Sequence, residues 1–368
     1  MVFHFLTPPE IRFGPGEART LPEIARRFGK RPFLVTGGKS FESLPVAGML
    51  APLPRTSVSG EPDVATVDAA VGRCREAGAD VVVAVGGGSV LDTAKAVAGI
   101  VTNGGSVRDY LEQVGGRKLE RPPLPFIAAP TTAGSGSEAT KNAVIRVADL
   151  QVKRSLRHDL LIPRVAVVDP ELSALAPRSV AASAGLDALT HLIEGYVSTG
   201  AHPMTDALAL PGIALAARAL REPDPKAMAL ASLWGGIVLA NAGLGAVHGL
   251  VAPLGGRCAV PHGIGCACLL VETMGANLEA LRARAPSSAA LPRYDAVARA
   301  LGAATFEAAL DDLAALRRHL GVGPLSSLGV APGDIAPIVA ASRGGSMRFN
   351  PIELTDAELE GILRSALS

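Results

Sequence analysis

Aromatic residues are scarce in this chain. Phe, Trp and Tyr make up 4% of 368 residues, although 48% of the chain is hydrophobic. A core of that size must be built from Ala, Val and Leu with backbones packed close. This suits helices and a buried parallel sheet better than an all-β sandwich. An excess of one charge is also missing: 35 Lys and Arg face 34 Asp and Glu, a formal net charge of +1. No basic surplus points to a nucleic-acid groove or an anionic membrane, so neither is an expected partner. The four cysteines, Cys74, Cys258, Cys266 and Cys268, read as reduced thiols of a cytoplasmic protein. Cys266-Ala267-Cys268 is a C-x-C pair that would need partners to bind metal, and it reads instead as two small core residues. No run of about 18 uncharged apolar residues appears, so no bilayer span is expected. The N-terminal pentapeptide lacks the basic region and long apolar stretch of an export signal.

Length suggests two domains, and the abundance of apolar residues excludes disorder of the whole chain. Through residue 175 short apolar runs alternate with helical spacing. Strand candidates are 32–36, 81–85, 124–128 and 164–168, with helices over 64–77 and 89–100. Strands that are apolar along their whole length and separated by helices indicate a parallel sheet covered on both faces. Beyond about residue 175 the β-branched runs fade. Ala- and Leu-rich helical segments follow at 180–198, 204–221, 227–243, 294–301, 306–320 and 356–366. The expected organisation is therefore an α/β Rossmann-like nucleotide-binding domain over 1–175 and an all-helical domain over 176–368.

Two loops in the first domain carry the nucleotide reading. Gly86-Gly87-Gly88-Ser89 follows the strand at 81–85 and opens a helix. Glycines let a backbone approach an anion, and a helix N-terminus offers unpaired N–H groups. The loop is neither G-x-G-x-x-G nor a Walker A loop, and a plain tight turn is the alternative. Asp92 and Lys95 follow as helix neighbours that could simply pair on the surface. After the next strand, residues 131–140 hold five hydroxyls and two glycines, donors for phosphate and ribose oxygens. Two such loops at carboxyl ends of parallel strands describe a nucleotide crevice.

The helical half carries a sharper signal. Asp187 and His191 stand at i and i+4 on one otherwise apolar helix face, where two side chains can reach one divalent cation. His248, in Gly245-Ala246-Val247-His248-Gly249, and His262, in Val260-Pro261-His262-Gly263, lie in apolar, glycine-rich stretches. Hydrogen-bonded core histidines are the plain alternative. One carboxylate and three imidazoles suit Fe(II) or Zn(II), whereas Mg and Ca prefer more oxygens. A nicotinamide crevice beside such a cation would permit hydride transfer to or from an alcohol carbon.

These motifs resemble those of the iron-containing, or group III metal-dependent, alcohol dehydrogenases of the dehydroquinate synthase-like superfamily. The resemblance runs from Phe13-Gly14-Pro15-Gly16 to Asn350-Pro351. It is carried by the segments 86–95, 130–138 and 168–172, by Gly185-Leu186-Asp187-Ala188-Leu189-Thr190-His191, and by Pro261-His262-Gly263. It implies an NAD(P)-linked enzyme acting on a small alcohol or aldehyde, and a homodimer. It also implies a metal, Fe(II) before Zn(II), held in the cleft by Asp187, His191, His248 and His262, which form the catalytic centre. The pyrophosphate would lie on Gly86, Gly87, Gly88 and Ser89, with Asp92 on the same helix. Thr131, Thr132, Ser135 and Ser137 would line the cofactor, and Lys153 would reach its ribose side.

The chain departs from the family pattern twice. Many members carry a further His four residues beyond the His248 position, proposed to serve in proton relay; here that residue is Ala252. His202 is a weak substitute, expected to cap a helix or face solvent. NAD-preferring relatives often carry Asp after the strand that ends in Val35-Thr36, where this chain has Gly37-Gly38-Lys39. Without that carboxylate a 2′-phosphate is not repelled and Lys39 could pair with it, which favours NADP over NAD. Two alternative activities are a metal-free, maleylacetate reductase-like reductase and a dehydroquinate synthase-like lyase. Asp187 with three histidines argues against the first. The apolar residues Leu244, Val247, Leu250, Val251 and Leu254, read as cleft walls, argue against the second. Arg257, Arg343 and Arg348 leave an acidic substrate open.

Overall fold

In the computed structural model, which describes residues 2–368, the apolar runs of the first half become one sheet. The strands are β1 (Glu10–Phe13), β2 (Pro32–Gly37), β3 (Arg55–Val58), β4 (Val81–Gly86), β5 (Phe126–Pro130), β6 (Asn142–Val147), β7 (Val152–Arg157) and β8 (Val165–Val168). Six of them form a sheet in the order β1-β8-β5-β4-β2-β3, parallel at every pairing. β6 and β7 make a separate antiparallel hairpin that the sequence pattern did not announce. Its strands mix buried with partly exposed residues, in strict alternation along β6, so neither reads as an apolar run.

Three helices cover the sheet: α1 (Leu21–Phe28), α2 (Val64–Glu76) and α3 (Gly88–Asn103). Phe33 and Val35 of β2 pack with α2 and α3 on one face, while Leu34 packs with α1 on the other. Burial on both faces explains why β4 is apolar at every position. From β2 the chain steps outward to β3 and then returns across β2 to β4. The direction of winding therefore reverses between β2 and β4, and ligands of open parallel sheets bind beyond the strand ends at such a reversal. Thr36 pairs with Val85, and Gly86 with Pro130, so the loops after β2, β4 and β5 emerge side by side.

Contacts divide the chain into Leu6–Pro177 and a second unit, Arg178–Ser368 with residues 2–5. The second unit is helical: α4 (Arg178–Val197), α5 (Pro203–Arg221), α6 (Pro225–Ala242), α7 (Ala246–Cys258), α8 (His262–Arg284), α9 (Leu291–Leu301), α10 (Phe306–His319), α11 (Ile335–Ala341) and α12 (Asp356–Ala366). Side chains of Asp224, Thr305 and Thr355 cap α6, α10 and α12 by accepting backbone N–H bonds. α7 and α8 were not legible as regular helices. Pro253 and a dense run of glycines lower helix propensity there, and burial overrides it. α8 meets the length and mean hydropathy of a bilayer span, although 67% of its apolar window is buried inside the protein.

Small residues let these helices approach closely. A Cβ at Gly195 of α4 would sit 2.2 Å from Cγ1 of Val238 on α6, and Val238 is fully buried. Gly195→Ala is therefore expected to destabilise the protein by roughly 1–3 kcal/mol through overpacking. Val238→Ala in the same chain should recover part of that loss. Urea unfolding of the two single variants, the double variant and the parent checks it; simply additive losses would contradict the packing account.

Candidate metal centre and nucleotide loops

From Gly185 onward α4 is buried on all sides, yet it carries Asp187, His191 and Glu194 at i, i+4 and i+7 along one face. Two further helices bring the remaining histidines to that face. His248 lies in the first turn of α7, and His262 is the first residue of α8. Gly263 permits the approach of α8, because a Cβ there would fall 2.6 Å from the Ser183 carbonyl oxygen on α4.

One ligand atom from each of Asp187, His191, His248 and His262 lies within 4.8 Å of the other three. Oδ1 of Asp187 stands 3.7 Å from Nε2 of His191, 3.6 Å from Nε2 of His248 and 3.7 Å from Nε2 of His262. These separations are too long for good hydrogen bonds. They approach the spacing of about 3.4 Å between oxygen and nitrogen atoms that share a tetrahedral cation at about 2.1 Å. Asp187 is 4% exposed, and its Oδ1 has no hydrogen-bond partner. An unpaired buried carboxylate oxygen is costly, and a cation on the facing imidazoles would satisfy it. Burial works to raise the Asp187 pKa, but His191, His262 and His248 hold it far below the usual carboxylate range. The His262 side chain is 41% exposed, whereas the other three are nearly enclosed, so the cluster opens on the His262 side.

Glu194 and Asn350 hold His248 in place. Oε2 of Glu194 lies 2.6 Å from Nδ1 of His248, leaving Nε2 to face Asp187. The same carboxylate accepts backbone N–H bonds from Val247 and His248, and Oδ1 of Asn350 accepts that of Ala246. Together they satisfy the free N–H groups at the start of α7. Sequence reasoning missed Glu194, although its i+7 spacing from Asp187 was a usable signal. It also missed Cys266, one turn beyond His262, whose buried Sγ lies 3.6 Å from Nε2 of His248. Burial pushes the Cys266 thiol up to about 12.

In the sheet unit, Gly37 ends β2 and Lys39 is exposed in the short helical turn that follows. Gly87, Gly88 and Ser89 are half-buried beyond β4, with Gly86 ending the strand, while Thr131, Thr132 and Ser135 are half-buried beyond β5. A backbone bond from Thr131 to the Gly86 carbonyl ties these loops together. Asp92, Ser137 and Lys153 already have protein partners. Oδ1 of Asp92 accepts from Ser137, and Oδ2 from the backbone of Val144. Lys153 pairs with Glu61. Lys95 is not a surface residue: it is fully buried, and its Nζ donates to oxygens of Ser137, Thr140 and Asn142. Burial lowers its pKa to about 8, against the pull of Asp92 and Glu138.

Other candidates stand elsewhere. His202 is buried and stacked on the Phe3 ring at 4.2 Å, so it does not face solvent. Leu244, Val247, Leu250, Val251 and Leu254 are at most 2% exposed and fill the helical core; they do not form accessible walls. Arg257 pairs with Asp334, Arg343 pairs with Asp356, and Arg348 stacks on Phe349. All four cysteines are free thiols.

Comparison with known proteins agrees with this architecture. A family model for iron-containing alcohol dehydrogenase matches residues 8–170, and one for the C-terminal region of the Fe-containing alcohol dehydrogenase family matches residues 181–367. Long-chain-alcohol dehydrogenase 1 of Geobacillus thermodenitrificans is 38% identical over 291 residues, covering 74% of this chain and 73% of that protein. The crystal structure of a 1,3-propanediol oxidoreductase superposes with a TM-score of 0.89 at 30% identity, covering both chains completely. Sulfoacetaldehyde reductase from Bifidobacterium kashiwanohense, solved with NAD+, superposes with a TM-score of 0.87 at 31% identity, covering 100% of this chain and 99% of that one.

The buried carboxyl of Glu138 yields a test of the loop. Burial raises it from 4.5 to about 7, and its Oε1 lacks a hydrogen-bond partner. The folded state thus binds more protons than the unfolded state between those values, and stability falls as pH rises through that window. Glu138→Gln should match the parent below about pH 4.5 and exceed it in stability above about pH 7. Urea midpoints across pH measure the difference; parallel pH profiles would refute the assignment.

Proposed function

The chain belongs to the iron-containing alcohol dehydrogenase family and is an NAD(P)-linked oxidoreductase acting on CH–OH groups; we propose which residues do the work. Asp187, His191, His248 and His262 hold a divalent cation, and the loops after β2, β4 and β5 hold the dinucleotide. The observation that carries the metal reading is the orphaned Oδ1 of Asp187 among three imidazole Nε2 atoms. When bound, the cation supplies Lewis acidity at the alcohol or carbonyl oxygen, and the nicotinamide accepts or returns the hydride.

This chain's residues perform binding and alignment. Asp187 contributes the negative charge of the ligand set, and the three imidazoles complete it. Glu194 accepts a hydrogen bond from Nδ1–H of His248, the tautomer that presents Nε2. The exposure of His262 marks the side by which an oxygen reaches the cluster. Enclosure of the other three ligands in apolar helix faces keeps water from them. Ala252 offers no proton relay, so the proton passes through another group or solvent. Fe(II) is the favoured cation on family grounds, with Zn(II) the alternative for the same donor set.

Gly87, Gly88 and Ser89 at the start of α3 take the pyrophosphate, with Thr131, Thr132 and Ser135 beside them. Asp92 and Ser137 act by pinning this region through their bonds to each other and to Val144, while Lys153 of β7 pairs with Glu61. Gly37, Gly38 and the exposed Lys39 support NADP(H), since no carboxylate there repels a 2′-phosphate. A small neutral alcohol or aldehyde is the proposed substrate class. Its support is that Arg257 and Arg343 are already paired with carboxylates and do not form an anion clamp. Four free thiols support a reducing, cytoplasmic setting, and the homodimer is carried over from family resemblance alone.

Oxidation of NADPH and NADH by a panel of aldehydes, with Fe(II) and Zn(II) compared, tests the activity. Asp187→Ala and His262→Ala should each abolish metal retention and turnover while circular dichroism stays native. Full turnover by the metal-stripped double variant would overturn the metal mechanism.

Cofactor choice has its own test. A Cβ at Gly37 meets only the Ser40 hydroxyl, at 2.7 Å, and Gly37 lies outside the left-handed region. Gly37→Asp should therefore fold and shift the NADPH/NADH ratio of kcat/KM toward NADH by roughly tenfold, about 1.4 kcal/mol. An unchanged ratio would remove Gly37 as the discriminator.

A further inference from the structure

We propose that Lys95 is a positioning residue for the dinucleotide: its ammonium fills a cage of oxygens suited to a monovalent cation, and the filled cage sets the shape of the loop after β5. The inference rests on the reading that this loop and the glycine loop after β4 hold the cofactor. Nζ of Lys95 donates to the carbonyl oxygens of Ser137, Thr140 and Asn142 at 2.9, 3.0 and 2.8 Å. It also meets the hydroxyl oxygens of Ser137 and Thr140 at 3.0 Å each. An ammonium has three N–H bonds, so five oxygens at nearly one distance form a coordination sphere and not a set of single hydrogen bonds. Carbonyl oxygens replace the hydration shell of K+ in the same manner. Lys95 is fully buried, and attraction from Asp92 and Glu138 offsets part of the cost of burying its charge.

A chain of contacts runs from this cage to the cofactor loops. Lys95 stands two turns beyond Gly88 on the same face of α3. Its partner Ser137 donates from Oγ to Oδ1 of Asp92 at 2.6 Å, and from its backbone N–H to Oγ of Ser135 at 3.3 Å. Ser135 in turn lies against the start of α3, since a Cβ at Gly88 would fall 2.8 Å from its Oγ. At the near end of the loop, the backbone of Thr131 bonds to the Gly86 carbonyl. The loop is thus tied at both ends, and the far tie is ionic. Without the ammonium, three carbonyl and two hydroxyl oxygens would face one another across a void, and the loop must open to hydrate them. That opening carries Ser135 away from the site of the pyrophosphate.

Dinucleotide binding to the full chain, read by reduced-nicotinamide fluorescence where circular dichroism shows a native fold, tests this apart from turnover. Lys95→Ala should bind NADPH and NADH about tenfold or more weakly and recover most of that affinity in ammonium or potassium chloride. Tetramethylammonium chloride at equal ionic strength, whose cation is too large for the cage, should restore none. Lys95→Met keeps the stem in the cage without its charge, so it should be weak and respond to no cation. In turnover the loss should fall on the KM for the dinucleotide more than on kcat, the mark of lost ground-state binding. Unchanged affinity in Lys95→Ala, a loss that no small cation reverses, or equal recovery in Lys95→Met would overturn the proposal. Should Lys95→Ala fail to fold, Thr140→Val takes its place, because it keeps the shape and removes one oxygen of the cage. Severalfold weaker binding there supports the cage, and unchanged binding overturns it. Gly88→Val separates the proposal from the reading beneath it. Unchanged binding in that variant would remove these loops as the dinucleotide site and the proposal with them. Loss there beside unchanged binding in the Lys95 variants would overturn the proposal alone.

Discussion

Two carboxylates inside an apolar helix bundle constrain everything around them. Asp187 and Glu194 are each at most 4% exposed on α4, where unpaired charges would cost several kcal/mol. Glu194 is satisfied within the protein by the start of α7 and by the His248 ring. Asp187 is not satisfied in that way. Its free oxygen faces three imidazole nitrogens at distances that suit a shared cation better than hydrogen bonds. The fold thus stores a binding demand in its core, which a cation on the facing imidazoles would relieve.

That demand shapes the surrounding sequence. Helix α4 must bring Asp187, His191 and Glu194 to one face while burying the others, so its remaining buried residues are mainly small or aliphatic. Gly263 lets α8 come near enough to α4 for His262 to reach that face, and Gly195 lets α6 pack closely on the same helix. Low aromatic content follows from the same closeness, since bulky rings would hold the helices apart. The sheet unit solves a similar problem with Lys95. Its buried ammonium is surrounded by oxygens of the loop after β5, which binds that loop to the helix that starts beyond β4.

Legibility in the sequence varied with the kind of signal. β4 was plain because a strand covered on both faces is apolar throughout. The glycine loop after it and the hydroxyl-rich loop after β5 stood out because few residue types suit such turns. The β6–β7 hairpin was hidden by its polar alternation, and α7 and α8 by glycines and Pro253. Asp187 and His191 declared a shared helix face through spacing alone. The partners of Glu194 and the bonds that engage Asp92, Ser137 and Lys153 could not be read this way, because they join residues tens of positions apart. The apolar residues after Gly243 were misread as walls because hydropathy records a wish for burial but not the neighbour that provides it.

The sequence by itself determined the class of fold, the family, and the residue types available for chemistry. Those depend on local periodicity and on motifs short enough to survive without a partner in view. Tertiary structure alone decided that His248 and His262 meet on the face of Asp187 and that Glu194 orients one of them. The reason is geometric. Side-chain direction along one helix follows from 3.6 residues per turn, whereas the convergence of three helices depends on how their surfaces pack.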